Sequence, residues 1–228
     1  GGGVLASEKI HRAVARLAEK KPVIACFGSV SASGGYYVSA PAHAIVAQPT
    51  TITGSIGVVA ARVLVGPLLE RIGVTPAVVK RGAHADMMSP HRPFDDEERA
   101  LFADELDRSY DRFLSLVADG RKKSKDEVRA LAEGRVWAGV DALQNGLVDR
   151  LGGLEVAVEE ARRRLGPLGA GVEPALLAPP VPLRPPPLLP LLAGGTAEAL
   201  GLGPAVELAS LAMSTRERVL AFWLGPRV

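Results

Sequence analysis

The stretch Gly-Ser-Val-Ser-Ala-Ser-Gly-Gly-Tyr-Tyr, from Gly28 to Tyr37, constrains the fold more than any other part of the chain. It follows Pro22-Val23-Ile24-Ala25-Cys26-Phe27, an apolar run with enough β-branched residues to read as a buried strand. After it, Tyr36-Tyr37-Val38-Ser39-Ala40 leaves room for a turn or two of helix before Pro41. A strand that becomes a helix within so few residues must turn sharply, and Gly34 and Gly35 permit that turn and the close approach of a substrate. Ser33 at this junction is a candidate nucleophile. The N–H after it would open the helix, where it can hold a developing oxyanion. The same residues also describe a plain Ser/Gly-rich turn between two buried elements.

With 228 residues the chain is long enough for one large domain, or one domain and an appendage. Hydrophobic residues make up 47% and charged residues 23%, an ordinary globular balance. The net charge of +2 and the absence of a basic block denser than Arg121-Lys122-Lys123-Ser124-Lys125 argue against a nucleic-acid partner. Cys26 is the single cysteine, so an internal disulfide is excluded, and its apolar run marks it as a small core residue rather than a reactive thiol. His11, His43, His84 and His91 are scattered without metal-ligand spacing, so no metal site and no cofactor is expected. No apolar run reaches the length of a membrane span. The opening Gly1-Gly2-Gly3 is neither a signal peptide nor an initiation sequence, which suggests a piece of a longer protein.

Residues 7–19 read as a helix, with Ser7 as N-cap, Glu8 complementing the dipole, and Ile10, Val14 and Leu17 on one face. Ala44-Ile45-Val46-Ala47 is a second buried strand. Thr50 to Val59 mixes β-formers with two glycines and reads as a strand or loop edge. A helix over 64–72 leads to a predicted strand over 74–80, and the pattern is lost between Arg81 and Pro93. A long amphipathic helix begins near Asp95, with Phe102, Leu106, Phe113 and Val117 inward and Leu101 and Leu114 widening the face. Ser124-Lys125-Asp126-Glu127 is a capping box, with Val128 and Leu131 of the helix it opens turned inward. A short helix lies between Trp137-Ala138-Gly139 and Asn145-Gly146, and 154–165 is the last regular element. Short strands alternating with helices, helices heaviest in the second half, make the chain α/β.

From about Gly166 the composition changes. Eight prolines between Pro174 and Pro190 favour an extended linker. The expected organisation is therefore a folded domain over 1–166, a proline-rich linker over 167–200, and a docking segment over 201–228 with weak helical periodicity at Val206, Leu208, Leu211, Val219, Leu220 and Trp223.

Ala32-Ser33-Gly34-Gly35-Tyr36-Tyr37, Ala44-Ile45-Val46-Ala47-Gln48-Pro49 and Thr53-Gly54-Ser55-Ile56-Gly57-Val58 resemble the core of the signal peptide peptidase A (protease IV) family. The resemblance continues through Gly82-Ala83-His84, Met88-Ser89-Pro90, Gly134-Arg135-Val136-Trp137 and Asn145-Gly146-Leu147-Val148-Asp149, in one order over about residues 1–165. It implies a ClpP/crotonase-like fold of β-β-α units with a helical C-terminal part. It also implies a serine peptidase of Ser/Lys type that degrades remnant signal peptides at the outer face of the bacterial cytoplasmic membrane. Carried over by position, Ser33 is the nucleophile, and Gly34 with an N–H of the Gly1-Gly2 loop forms the oxyanion hole. Ser55 hydrogen-bonds the catalytic lysine. Partners implied are peptide substrates, a homo-oligomer, and a membrane reached through a segment outside this chain.

One position departs from the family pattern. Where the short members carry the general-base lysine after Gly-Ala-His, this chain has Ala85. Three explanations stand: the chain is the C-terminal half of a long-form member whose N-terminal half donates the lysine, a lysine was deliberately replaced, or the homologue is naturally inactive. The proline-rich tail and the start within a motif favour the first. Substitutes within the chain are weak. Lys80 reads as a solvated strand-end lysine, a Ser33/His84/Asp86 set competes with a loop-fixing role for His84, and Tyr36 and Tyr37 read as packing residues. A different class of function, a non-catalytic peptide-binding or assembly module, is supported by Ala85 and opposed by the retained Ser33, Gly34 and Ser55.

Overall fold

The computed structural model describes residues 1–177 and 221–223 of the chain. These fall into two compact units, Gly1–Gly169 and Ala170–Val228. In the first unit the element order begins α1 (Val4–Ala18), β1 (Ile24–Cys26), β2 (Val30–Ala32), α2 (Gly34–Ser39), β3 (Ala44–Ala47), β4 (Ile52–Gly54), α3 (Gly66–Arg71). This is a β-β-α unit stated twice. Helices dominate the remainder of the unit: α4 (Asp96–Arg121), α5 (Lys125–Leu131), β5 (Val136–Ala138), α6 (Gly139–Gln144), β6 (Arg150–Leu151) and α7 (Leu154–Leu165), then a 3₁₀ turn over Gly166–Gly169. In the second unit β7 (Ala175–Leu177) pairs antiparallel with β8 (Ala221–Trp223). The rest of the expected linker and docking segment lies outside the described residues.

Two three-stranded ladders organise the first unit, in the orders β1-β3-β6 and β2-β4-β5. All pairs are parallel except β4 with β5. β3 is central and buried at all four positions, which is why its sequence is continuously apolar rather than alternating. Tyr36, Ile45, Ile56, Leu114, Val117 and Leu147 are fully buried and form one core with Phe27 and Phe113. Burial of such side chains stabilises by roughly 1.5–3 kcal/mol each.

The capping signals translate directly. Asp95 accepts from the Glu98 N–H at 2.8 Å while Glu98 accepts from the Asp95 N–H at 3.1 Å, and α4 starts there. Ser124 and Glu127 make the same reciprocal pair at α5. Gly120 lets α4 cross the end of α2, since a Cβ there would lie 2.0 Å from the Ala40 carbonyl oxygen. Arg121, the last residue of α4, then forks onto Asp149 at 2.9 and 2.5 Å, and Asp149 accepts the Ile45 N–H at 2.7 Å. A helix end is thereby tied to the central strand.

Several expectations are corrected. α1 begins at Val4 with Gly3 as N-cap, so Ser7 is not a cap and Glu8 is not in the first turn. The face that α1 buries carries Ser7 and His11, whereas Ile10 and Leu17 are exposed. No strand forms over 74–80 among the described residues. Val78 and Val79 are exposed there, and β-propensity without a partner strand makes no ladder. Cys26 is exposed rather than in the core, at the end of β1, which among the described residues pairs with β3 alone. Along α4 the apolar face holds only in its second half: Phe113, Leu114 and Val117 are buried, but Leu101 is exposed.

Candidate active site

Ser33 sits between the last residue of β2 and the first of α2, with φ 54° and ψ −118°. An L-residue at such a positive φ is strained by about 1–3 kcal/mol, and the surroundings must hold it there. They do so on both sides. The Ser33 N–H donates to the Gly54 carbonyl at 2.9 Å, continuing the β2–β4 ladder, and the Ser33 carbonyl accepts the Tyr37 N–H at 2.9 Å in the first turn of α2. Tyr36 anchors that turn from below: its ring is fully buried and its hydroxyl donates to the Leu147 carbonyl at 2.7 Å. The Ser33 hydroxyl makes no hydrogen bond among the described residues, so it is presented rather than consumed.

Ser55 occupies the matching place on the neighbouring strand. Ala32 pairs with Gly54, so Ser33 and Ser55 are the next residues past the ends of two parallel strands, about 5 Å apart by strand spacing. Ser55 also has a positive φ, 48°, and its N–H donates to the Arg135 carbonyl at 2.7 Å. Two strained serines therefore stand side by side at one edge of the β2-β4-β5 ladder.

Gly34 brings a third element in. A Cβ on Gly34 would lie 2.6 Å from Ser7 Oγ, 2.8 Å from the Gly2 nitrogen and 3.3 Å from the Gly1 carbonyl carbon. Only a residue without Cβ allows the start of the chain to approach so closely. Gly1 also abuts Ser33, a Cβ on Gly1 lying 3.9 Å from that of Ser33. The structure thus brings Ser33, Gly34, Ser55, Gly1 and Gly2 to one place. α2 is only six residues long, so the local donor is the Gly34 N–H itself rather than a helix dipole.

The substitutes for a base are accounted for elsewhere. Lys80 Nζ donates to Asp86 at 2.7 Å and to the Ala83 carbonyl at 3.4 Å. Asp86 also takes Arg92 through two bonds of 2.9 Å, and these cations hold its carboxyl well below the usual range. His84 faces Glu97 at 3.6 Å and Glu98 at 3.9 Å, so no His84–Asp86 pair forms. Arg92 reaches on to the buried Glu98 with two bonds of 2.6 Å, which lower the Glu98 carboxyl to about 2. Ala85 lies exposed in this charge-stitched turn, its N–H pointing to the Gly82 carbonyl at 3.5 Å.

Sequence reasoning missed a support on the other side of α2. The Tyr37 hydroxyl donates to Glu8 at 2.5 Å, and that bond with Arg12 and Arg112 lowers the Glu8 carboxyl to about 2. Burial and the same carboxylate push the Tyr37 hydroxyl up to about 12. His11 Nδ1 lies 3.2 Å from the Tyr37 carbonyl, with Nδ1–H as the donor, and burial lowers its pKa. The spacing of Ser7 and His11, one helical turn apart, was the available signal.

A family model described as Peptidase family S49 matches residues 15–166. The protein named "Serine protease SPPA, chloroplastic" of Arabidopsis thaliana is 42% identical over 165 residues, covering 72% of this chain and 24% of that protein. "Protease 4" of Salmonella typhi is 41% identical over 162 residues, covering 71% of this chain and 26% of that one. The Synechocystis protein slr0021 is 37% identical over 230 residues, covering 98% of this chain and 80% of that one. The chain thus spans about a quarter of the length of two of these relatives and four-fifths of the third. Among solved structures, a ClpP1 mutant from Listeria monocytogenes is similar with a TM-score of 0.43 and 17% identity, over 69% of this chain and 71% of that one.

Proposed function

The chain belongs to peptidase family S49, and from that premise we propose that it is the serine-bearing part of a Ser/Lys endopeptidase whose general base comes from outside these residues. The observation that carries this reading is the strained Ser33, its hydroxyl unbonded among the described residues, beside Ser55, with the Gly1-Gly2 loop against Gly34. In the reaction, a neutral lysine takes the Ser33 proton as Oγ attacks the peptide carbonyl. The N–H groups of Gly34 and of the Gly1-Gly2 loop hold the oxyanion. The lysine then gives its proton to the leaving amine, and water releases the acyl group by the reverse path. Ser55 orients the lysine, whose pKa must fall from about 10.4 towards neutrality. The chemistry needs no metal or cofactor.

Ala85 leaves the turn after Gly82-Ala83-His84 without a base. A lysine donated by an N-terminal half of the same protein completes the dyad. The substrates are peptides, bound extended along strand edges, and remnant signal peptides at the outer face of the cytoplasmic membrane fit that mode. No helix among the described residues is long and apolar enough to cross a membrane, so attachment would run through another segment. Assembly with further copies belongs to the same reading.

The isolated chain is expected to be inert toward a fluorogenic peptide, and addition of the lysine-bearing half is expected to restore cleavage that Ser33→Ala abolishes. Robust cleavage by the isolated chain, lost in Ser33→Ala, would show that a base lies within it. Ala85 favours a second reading, a module that binds peptides without cutting. A fluorophosphonate that leaves Ser33 unlabelled in the full-length protein is the result that selects it.

A further inference from the structure

No large aliphatic side chain of α1 is buried: Val4, Leu5, Ile10 and Leu17 are exposed and Val14 is half-buried. What joins α1 to α2 by hydrogen bonds is Tyr37, held at both ends. Its hydroxyl donates to Glu8 Oε2 at 2.5 Å, and its carbonyl accepts the N–H of His11 Nδ1 at 3.2 Å. The other Glu8 oxygen takes Arg12 at 2.7 Å and Arg112 of α4 at 3.4 Å. The Tyr37 ring is buried against Phe113 and His11, at centroid separations of 4.8 and 5.5 Å. With the Glu8 carboxyl lowered to about 2 and the Tyr37 hydroxyl raised to about 12, the bond runs from a neutral phenol to a carboxylate, a charge-assisted pair.

The pair stands just past both halves of the candidate site. The Tyr37 N–H donates to the Ser33 carbonyl at 2.9 Å, so Tyr37 is one helical turn after Ser33. The Ser7 N–H donates to the Gly3 carbonyl at 3.0 Å, and Glu8 is the next residue, little more than a turn after the Gly1-Gly2 loop. That loop meets the Ser33 junction backbone to backbone: a Cβ on Gly34 would lie 2.8 Å from the Gly2 nitrogen, and one on Gly1 3.9 Å from the Ser33 Cβ. Glycines have no side chains to key such a contact, so the loop's orientation depends on where α1 is held. We infer that the Tyr37–Glu8 hydrogen bond fixes α1 on α2 so that the Gly1-Gly2 loop presents its N–H to the oxygen of the carbonyl that Ser33 attacks. This role rests on Ser33 being the nucleophile and the loop an oxyanion donor. Neither side chain touches substrate; both are positioning residues. Apolar contact is non-directional, whereas a hydrogen bond near each loop fixes distance and angle together.

Steady-state cleavage of a fluorogenic peptide by the full-length protein tests this. Tyr37→Phe removes the hydroxyl, keeps the ring, and leaves the Glu8 carboxylate with both arginines. A displaced oxyanion donor is missed in the transition state rather than in substrate binding. The kcat is therefore expected to fall about tenfold or more, with KM within about twofold. Glu8→Gln, whose amide oxygen can still accept the hydroxyl, is expected to retain more of kcat than Glu8→Ala. A structural role alone predicts a lower urea midpoint for Tyr37→Phe with kcat of the folded protein unchanged. That result overturns the proposal, as does a rise in KM at constant kcat or an equal loss in the two Glu8 variants. If wild type cleaves, Ser33→Ala abolishes cleavage and Tyr37→Phe changes nothing, the positioning role alone falls. If wild type does not cleave, the peptidase reading falls and this one with it. Should Tyr37→Phe not fold, Glu8→Ala breaks the same bond from the less buried side and is read by the same split between kcat and KM.

Discussion

Around Ser33 the chain is held by backbone ladders and a core; around Ala85 it is held by charged side chains. β2, β4 and α2 fix Ser33 through the Gly54 and Tyr37 bonds, and the buried Tyr36 sits directly beneath. From Val59 to Met88 the same kind of aliphatic sequence is left outside: Val59, Val63, Leu68, Ile72 and Val79 are all exposed, and Val79 is completely so. The turn around Ala85 is ordered by Arg92, bridging Asp86 and Glu98, with Arg62 bonded to the Ser89 and Arg92 carbonyls and stacked 4.1 Å over the Phe94 ring. The comparison teaches that the surroundings of Ser33 are built by packing that many residues share. The side where short family members place their base rests on a few ion pairs.

The largest expected effect separates the two regions outright. Ile45→Ala in the central strand is expected to cost about 2–5 kcal/mol in urea unfolding, while Val79→Ala stays within roughly 0.5 kcal/mol. A cost above about 1.5 kcal/mol at Val79 would mean that the outer segment is packed after all.

Arg92→Ala should loosen the Ala85 turn alone. It strips the guanidinium from a buried Glu98 and leaves Asp86 with Lys80, so thermolysin is expected to cut between residues 81 and 94 several-fold faster while residues 26–57 stay resistant. Unchanged cleavage in that window would break the contrast, since the turn would then be held by something other than charge.

The smallest effect is a pH dependence shared by both regions. Glu98 beside Arg92 and Glu8 beside Tyr37 both have carboxyls lowered to about 2. A carboxyl depressed on folding stabilises the fold above its unfolded pKa of about 4.3, and that contribution is lost as pH falls towards 2. Urea midpoints are therefore expected to fall a little as pH drops below about 6.5, where His11, its pKa lowered by burial, takes a proton more readily in the unfolded chain, and to drop further between about pH 4 and 2. Glu8→Gln should flatten part of that drop without touching proteolysis of the Ala85 turn. A midpoint that does not fall between about pH 4 and 2 would mean that these two carboxylates do not carry the dependence.

Much of this was legible in the chain. The Ser33 bend, the central strand at 44–47 and both capping boxes depend on residues within a few positions of one another, where propensity and hydrogen-bonding chemistry act locally. The resemblance set Ser33 and Ser55 in one expected site, and the parallel register of β2 and β4 puts the two residues just past adjacent strand ends. That Ala85 stands where the resemblance expects a lysine is likewise a matter of residue identity, not conformation.

Tertiary structure decided which apolar residues were used. Val74 to Lys80 has the composition of a strand and forms none, because a ladder needs a neighbour that no local pattern can supply. Ile10 and Leu17 look inward by periodicity and are exposed, while Ser7 and His11 are buried, because α2 and the Gly1-Gly2 loop meet α1 on its polar side. That choice sets the Ser7 side chain against Gly34. Periodicity reports how apolar a face is, but burial is set by what arrives to cover it, and that depends on residues far away in sequence.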